Sequence, residues 1–189
     1  LERPGRRDKF PLNVAADFPL EAAPGDRSLS HMLENGEIDA LFSARAPSCL
    51  DRGAAHVGRL FRDLRAVEQD YFRRTRIFPV MHALGIRREL VQQHPWLPAS
   101  LFKAFSEAKQ LAEKELREVA ALKIMLPWLI SEVATTQEIM GQDFWPYGVE
   151  PNRHTLETMA RYSHSQGLAV RELSVEEMFA PTTLDQVRV

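Results

Sequence analysis

A single cysteine, Cys49, stands in 189 residues. One thiol cannot build an intramolecular disulfide framework or a multi-thiolate metal site, so nothing demands an oxidising compartment and a cytoplasmic location is the expectation. Neither sign of charge is in excess: 24 basic and 26 acidic side chains leave a formal net charge of −2. That balance disfavours polyanion binding, and no nucleic-acid partner is expected. Long hydrophobic runs are missing too. The most apolar stretch, Leu122 to Ile130, is about half the length of a helical membrane span, contains Pro127 and Lys123, and runs into Glu132. No membrane partner follows from it. The opening Leu1-Glu2-Arg3-Pro4-Gly5-Arg6-Arg7-Asp8-Lys9 is charged and turn-like with no apolar segment behind it, so no signal peptide is expected.

Several chemistries lack their residues. There is no phosphate-cradling G-x-G-x-x-G or G-x-x-x-x-G-K-[ST], no G-x-S-x-G elbow and no H-E-x-x-H. The six histidines, His31, His56, His82, His94, His154 and His164, include no i,i+4 pair that would offer a two-histidine metal face on one helix. Neither a metal nor an organic cofactor is expected. Cys49 has no recognisable nucleophile context and reads as an inert small residue.

What is present is ordinary globular material, with 44% hydrophobic and 26% charged residues, enough for one large or two small domains. Residues 1 to 26 hold Pro4, Pro11, Pro19 and Pro24 without sustained periodicity, so an irregular segment is expected. Ser28 to Gly36 carries a capping serine, apolar Leu29, Met32 and Leu33, and a terminal glycine, which together predict a short helix. Ile38 to Ala44 is an apolar run of strand length stopped by the loop Arg45-Ala46-Pro47-Ser48, an α/β arrangement. Leu64, Val67 and Tyr71 predict an amphipathic helix from Asp63 to Arg74. Ile77 to Ile86 is a second buried-strand candidate, although Pro79 cannot donate to a central ladder. Leu101, Phe105, Ala108, Ala112, Leu116 and Val119 recur on one face of a long helix starting at Pro98, and Glu113 precedes Arg117 at the favourable i,i+4 spacing. A further helix is expected from Ala120 to Met140 with a kink at Pro127. The loop Gly141 to Asn152 packs three aromatics among prolines and glycines. Asn152 then caps a helix bearing Leu156, Met159 and Ala160, which Gly167 ends.

Four groups of residues carry possible chemistry. Ser43, Arg45 and Ser48 follow the carboxyl end of a predicted strand, where open α/β sheets bind ligands, and an arginine between hydroxyls suits a carboxylate; the alternative is a solvated loop arginine. His82 in its apolar run is expected to be at least partly buried, either as an acid or base or as a core histidine bonded to a carbonyl. Arg73, Arg74 and Arg76 either attract an anion or line a solvated helix face. Phe144-Trp145-Pro146-Tyr147-Gly148 either stacks an aromatic ligand or seals a turn over the core.

A set of motifs goes further. Gly36-Glu37-Ile38-Asp39-Ala40, Val67-Glu68 with Tyr71 and Thr75, Ile77-Phe78-Pro79-Val80-Met81-His82, His94-Pro95-Trp96, Ala104-Phe105 with Ala108-Lys109, Leu126-Pro127-Trp128, and Asp143-Phe144-Trp145-Pro146-Tyr147-Gly148 with Glu150-Pro151-Asn152 resemble the 4,5-dihydroxyphthalate decarboxylase family, in register from about residue 25 to residue 181. The resemblance implies an α/β fold of the periplasmic-binding-protein-like type II class, two lobes joined by crossing strands with ligand in the cleft. Family members are longer at the amino end. Residues 1–75 would then form an α/β portion of the second lobe, and residues 76–189 a crossing strand and a helix-rich carboxyl-terminal portion packing on the first lobe. The implied activity is non-oxidative decarboxylation of a dihydroxylated aromatic dicarboxylate by ring protonation. It assigns His82 to proton transfer, Glu68 to orientation or a second proton role, Arg45 to a carboxylate, and Trp145 and Tyr147 to the ring, with Ser43, Ser48, Arg76 and Asn152 completing the substrate contacts. The implied partner is a small anionic aromatic substrate, and self-association into a homo-oligomer stays open. The competing reading is a transporter's substrate-binding protein for a small anion, without chemistry and located in the periplasm.

Overall fold

The structure is a computed structural model that describes residues 18–184. The chain divides into two compact units, Leu1–Leu64 and Arg65–Val189. Residues 18–26, the described part of the expected irregular opening, carry no helix or strand, and residues 1–17 lie outside the described range.

In the first unit, α1 (Leu29–Glu34) starts where Ser28 Oγ accepts the His31 N–H at 3.2 Å, and its chain reverses through Asn35 into Gly36 at φ 71°. That left-handed position is open to glycine at no steric cost, which is why the helix stops there. A one-turn helix, α2 (Ser48–Asp51), packs on α1. Their contact is a polar stitch around the fully buried Cys49: its N–H donates to Ser30 Oγ at 3.1 Å, and the Ser30 and Ser48 hydroxyls share a hydrogen bond of 3.0 Å. Around the rim, Arg52 pairs with Glu34 at 2.7 Å and Arg27 with Glu37.

Ile38 to Ala44 is not a strand. Its backbone is irregular and Phe42 is fully exposed. A strand satisfies its N–H and C=O groups only against a neighbouring ladder, and no strand is assigned among the described residues. The same reason removes the second candidate. Residues 76–87 have neither helix nor ladder, and His82, expected to be partly buried, is exposed because its apolar run has no sheet to pack into. The α/β expectation therefore gives way, over residues 18–184, to a helical architecture, while the helix-rich carboxyl-terminal half stands.

The second unit contains α3 (Leu64–Thr75), which straddles the boundary, α4 (Arg88–Gln93), α5 (Leu97–Glu115), α6 (Leu129–Met140), α7 (Arg153–Ser165) and α8 (Val175–Met178), with 3-10 turns at Glu150–Asn152 and Pro181–Thr183. Pro98 sits in the first turn of α5, where its missing N–H costs nothing. Pro127 does more than kink a helix. Residues 116–128 are not helical and α6 begins only at Leu129, because a proline both lacks a donor and clashes with the preceding turn. The core is small: Val149, Leu156 and Val175 are nearly inaccessible, and Met178, Phe179 and Leu184 pack around them. Gly167, at φ 74°, follows α7 as its pattern predicts. The entry to α8 is a full capping box, with Ser174 Oγ accepting the Glu177 N–H and the Glu177 carboxylate accepting the Ser174 N–H. No described helix is long and apolar enough to cross a membrane.

Candidate functional site

The richest gathering of the expected residues lies in the second unit, on the loop between α6 and α7. Gly141 leaves α6 at φ 97°, and the chain then runs through Asp143, Phe144, Trp145, Pro146, Tyr147 and Gly148, itself at φ 99°. Two glycines in the left-handed region and Pro146 keep this stretch out of any helix. The loop is fastened from inside by Asn152, whose Nδ2 donates to the carbonyls of Pro146 and Gly148, each at 2.8 Å. Asn152 occupies the N-cap position of α7, but its side chain makes no capping bond. The expected cap is thus replaced by a staple, because the two loop carbonyls take both donors of the amide.

Each exposed aromatic of the loop has a partner. The rings of Trp145 and Phe78 lie with centroids 5.4 Å apart at 59°, a tilted contact that joins the loop to the extended segment 76–87. Tyr147 presents its face to the ammonium of Lys109, 5.5 Å from the ring centroid. Trp145 and Tyr147 nevertheless keep 43% and 40% of their surface open, so each offers a flat apolar face with a polar tip to a ligand.

Lys109 escapes a reading of the sequence as a binding residue, since it appears there as one of several charges on a long helix. The structure holds its ammonium against Asp143 Oδ1 at 2.5 Å and Glu113 Oε1 at 3.3 Å, with only 14% of the side chain exposed. A signal exists in retrospect: Lys109 stands four residues before Glu113 on α5, so one acidic partner is already written at helical spacing.

At the start of the extended segment, Arg76 has φ 57°, the one described non-glycine residue in the left-handed region, and its guanidinium lies 4.6 Å above the Phe72 ring. His154, in the first turn of α7, donates from Nε2 to the Thr75 carbonyl at 3.1 Å, so α7 is tied to the end of α3. Arg153 beside it hydrogen-bonds Glu150 at 2.6 Å and Glu176 at 2.8 Å, and these carboxylates hold its guanidinium even more firmly charged than usual. Glu68 and His82 are exposed on α3 and on the extended segment; neither side chain has a hydrogen bond or ion pair to Trp145, Tyr147 or Arg76.

In the first unit, the Ser43 hydroxyl accepts the Arg45 N–H at 3.3 Å and the Ser48 hydroxyl is spent on Ser30, while the Arg45 guanidinium is exposed. Those hydroxyls hold their own loop and helix start. Among the described residues no three His, Cys, Asp or Glu side chains cluster as metal ligands would.

Along 188 residues, 100% of this chain, the sequence is 38% identical to a 4,5-dihydroxyphthalate decarboxylase of Comamonas testosteroni. The chain is a relative of the 4,5-dihydroxyphthalate decarboxylases. A second decarboxylase of that name, from Pseudomonas putida, is 42% identical over 72 residues, which are 38% of this chain and 28% of its own length. The chain spans 57% of the length of the Comamonas decarboxylase. No protein-family model matches it.

Proposed function

We propose that this chain belongs to an enzyme that decarboxylates 4,5-dihydroxyphthalate to 3,4-dihydroxybenzoate. The observation that carries the proposal is identity at 38% along all of the chain to a decarboxylase of that substrate. The reading also takes the fold to be the two-lobed type II periplasmic-binding-protein-like class, with residues 1–75 in one lobe and 76–189 crossing to the other, and it places the protein in the cytoplasm. No observation favours the transporter alternative.

Direct loss of carbon dioxide from an electron-rich aryl carboxylate would leave an unstabilised aryl anion. Protonating the ring carbon that bears the carboxylate avoids this. The new C–H bond forms with a ring electron pair, a base withdraws the phenolic proton opposite the growing charge, and the C–C bond to the carboxylate then breaks. Its electrons restore aromaticity, carbon dioxide leaves, and the phenol regains its proton, so the net change is one proton in and one carbon dioxide out. In this scheme His82 exchanges the proton at carbon, and Glu68 orients it or serves the phenol. Arg76 holds a carboxylate, and Trp145 and Tyr147 receive the ring.

The test is release of carbon dioxide from 4,5-dihydroxyphthalate by the expressed chain, measured beside a form extended at the amino end. Release by either form, lowered about 10²- to 10⁴-fold by His82→Ala, is the expected result. Silence from both forms overturns the activity, and an unimpaired His82→Ala overturns the proton assignment alone.

A further inference from the structure

We propose that Lys109 is a positioning residue that latches the aromatic loop, fixing the faces of Trp145 and Tyr147 on which an aromatic acid would rest. The role in substrate binding rests on the function proposed above; the latch itself does not.

Lys109 rises from the middle of α5 and meets the loop at two points, the Asp143 carboxylate at its start and the Tyr147 ring near its end. Its third neighbour, Glu113, lies on its own helix one turn on. Glu113 Oε1 is buried without a hydrogen-bond partner, so its charge leans on the ammonium 3.3 Å away. One cation therefore serves two carboxylates. Remove that charge and the Asp143 and Glu113 carboxylates lose their shared cation; the two are similarly exposed, at 34% and 29%, but Glu113 is fixed in a helix and Asp143 sits on a loop, so Asp143 is the one free to leave. Asp143 belongs to the loop; its departure would carry Phe144 and Trp145 outward. Asn152 already holds Pro146 and Gly148, which confines the loosening to the stretch that carries Trp145. The position of Trp145 is thereby set by a charge on another helix, and a structural lysine with no such duty would not report on it.

Trp145 can be watched alone in a Trp96→Phe/Trp128→Phe background, since both replaced rings are largely exposed, at 62% and 72%. Into it go Lys109→Met, Lys109→Arg, Asp143→Asn and Glu113→Gln, each followed by Trp145 emission, acrylamide quenching, the urea midpoint and binding of 4,5-dihydroxyphthalate. Lys109→Met and Asp143→Asn are expected to shift Trp145 emission to the red and raise its quenching under conditions where both remain folded. Lys109→Arg should recover part of the parent spectrum, and Glu113→Gln should leave it unchanged. Affinity for the dicarboxylate should fall about tenfold in the first two, the scale of one charge-assisted contact. If Lys109→Met does not fold, Asp143→Asn decides, because it keeps the lysine and removes only the loop's charge. An unchanged Trp145 in Asp143→Asn overturns the latch. Altered Trp145 signals with no binding by the parent leave the latch standing and remove the function; equal binding by parent and loosened variants removes the latch from the substrate site and leaves the function.

Discussion

Phe78 and Trp145 meet ring to ring at 5.4 Å and 59°, the contact through which the segment following α3 and the loop preceding α7 hold one another. Both rings stay partly open, at 40% and 43%, so their burial contributes little and the pair geometry contributes much of what the contact is worth. A double-mutant cycle with Phe78→Leu and Trp145→Leu isolates that share. The expected coupling is about 0.5–1.5 kcal/mol by urea unfolding. Additive single variants would mean that the two segments are held independently of their rings.

Asn152, half-buried at the head of α7, holds the aromatic loop to itself. Its amide gives both donors to the Pro146 and Gly148 carbonyls, and Asn152→Ala should cost about 1–3 kcal/mol, the price of two loop carbonyls losing their partner. Asn152→Asp should be worse at neutral pH, because a carboxylate only accepts and would face two acceptors. Urea midpoints with unchanged slopes are the measure; an aspartate variant as stable as the parent would contradict the staple.

The helices announce themselves in the sequence wherever a cap and a stripe coincide. Ser28 and Gly36 bracket α1, the stripe that starts at Leu101 marks α5, although the helix ends at Glu115 before the stripe's Leu116 and Val119, and Gly167 follows α7. Pattern fails where a residue's role depends on a distant partner. Ile38 to Ala44 and Ile77 to Ile86 have strand composition, but a strand exists only beside another, and composition does not supply the neighbour. Asn152 has the side chain of a cap and the surroundings of a staple. Lys109 looks like a solvated charge until Asp143 is brought to it across the α5–loop contact. The aromatic loop itself was legible as the place where ring faces collect, because prolines and glycines exclude every regular alternative.

The capping box of α8 predicts a pH response. Glu177 is held down to a pKa of about 2, first by its side-chain hydrogen bond to Arg171 and next by the Ser174 backbone N–H. A carboxylate whose folded value is depressed contributes stability that is complete above its unfolded value of 4.5 and is lost as pH falls through the folded value near 2. Side-chain carbon NMR should place the Glu177 midpoint close to 2, and order in α8 should decay between about pH 4.5 and 2. In Glu177→Gln that acid-dependent step should disappear. A midpoint at the ordinary carboxylate value would mean that the box is open in solution.

Arg76 combines a charge with a backbone conformation that disfavours it, and two substitutions separate the two. At φ 57° a side chain pays for the contact between its Cβ and the neighbouring backbone, whereas glycine does not. Arg76→Gly and Arg76→Ala both delete the guanidinium and its stacking on Phe72, so any difference between them belongs to the backbone. Glycine also gains freedom when unfolded, which offsets part of the relief, and the net expectation is that Arg76→Gly is more stable than Arg76→Ala by about 1 kcal/mol. Both should lose affinity for an anionic aromatic ligand to the same extent, since both lack the cation. Matched urea and binding titrations decide. An alanine variant at least as stable as the glycine variant would show that α3 leaves into the extended segment by a route that needs no left-handed residue, and unequal losses of affinity would show that the turn, rather than the charge, is what a ligand detects.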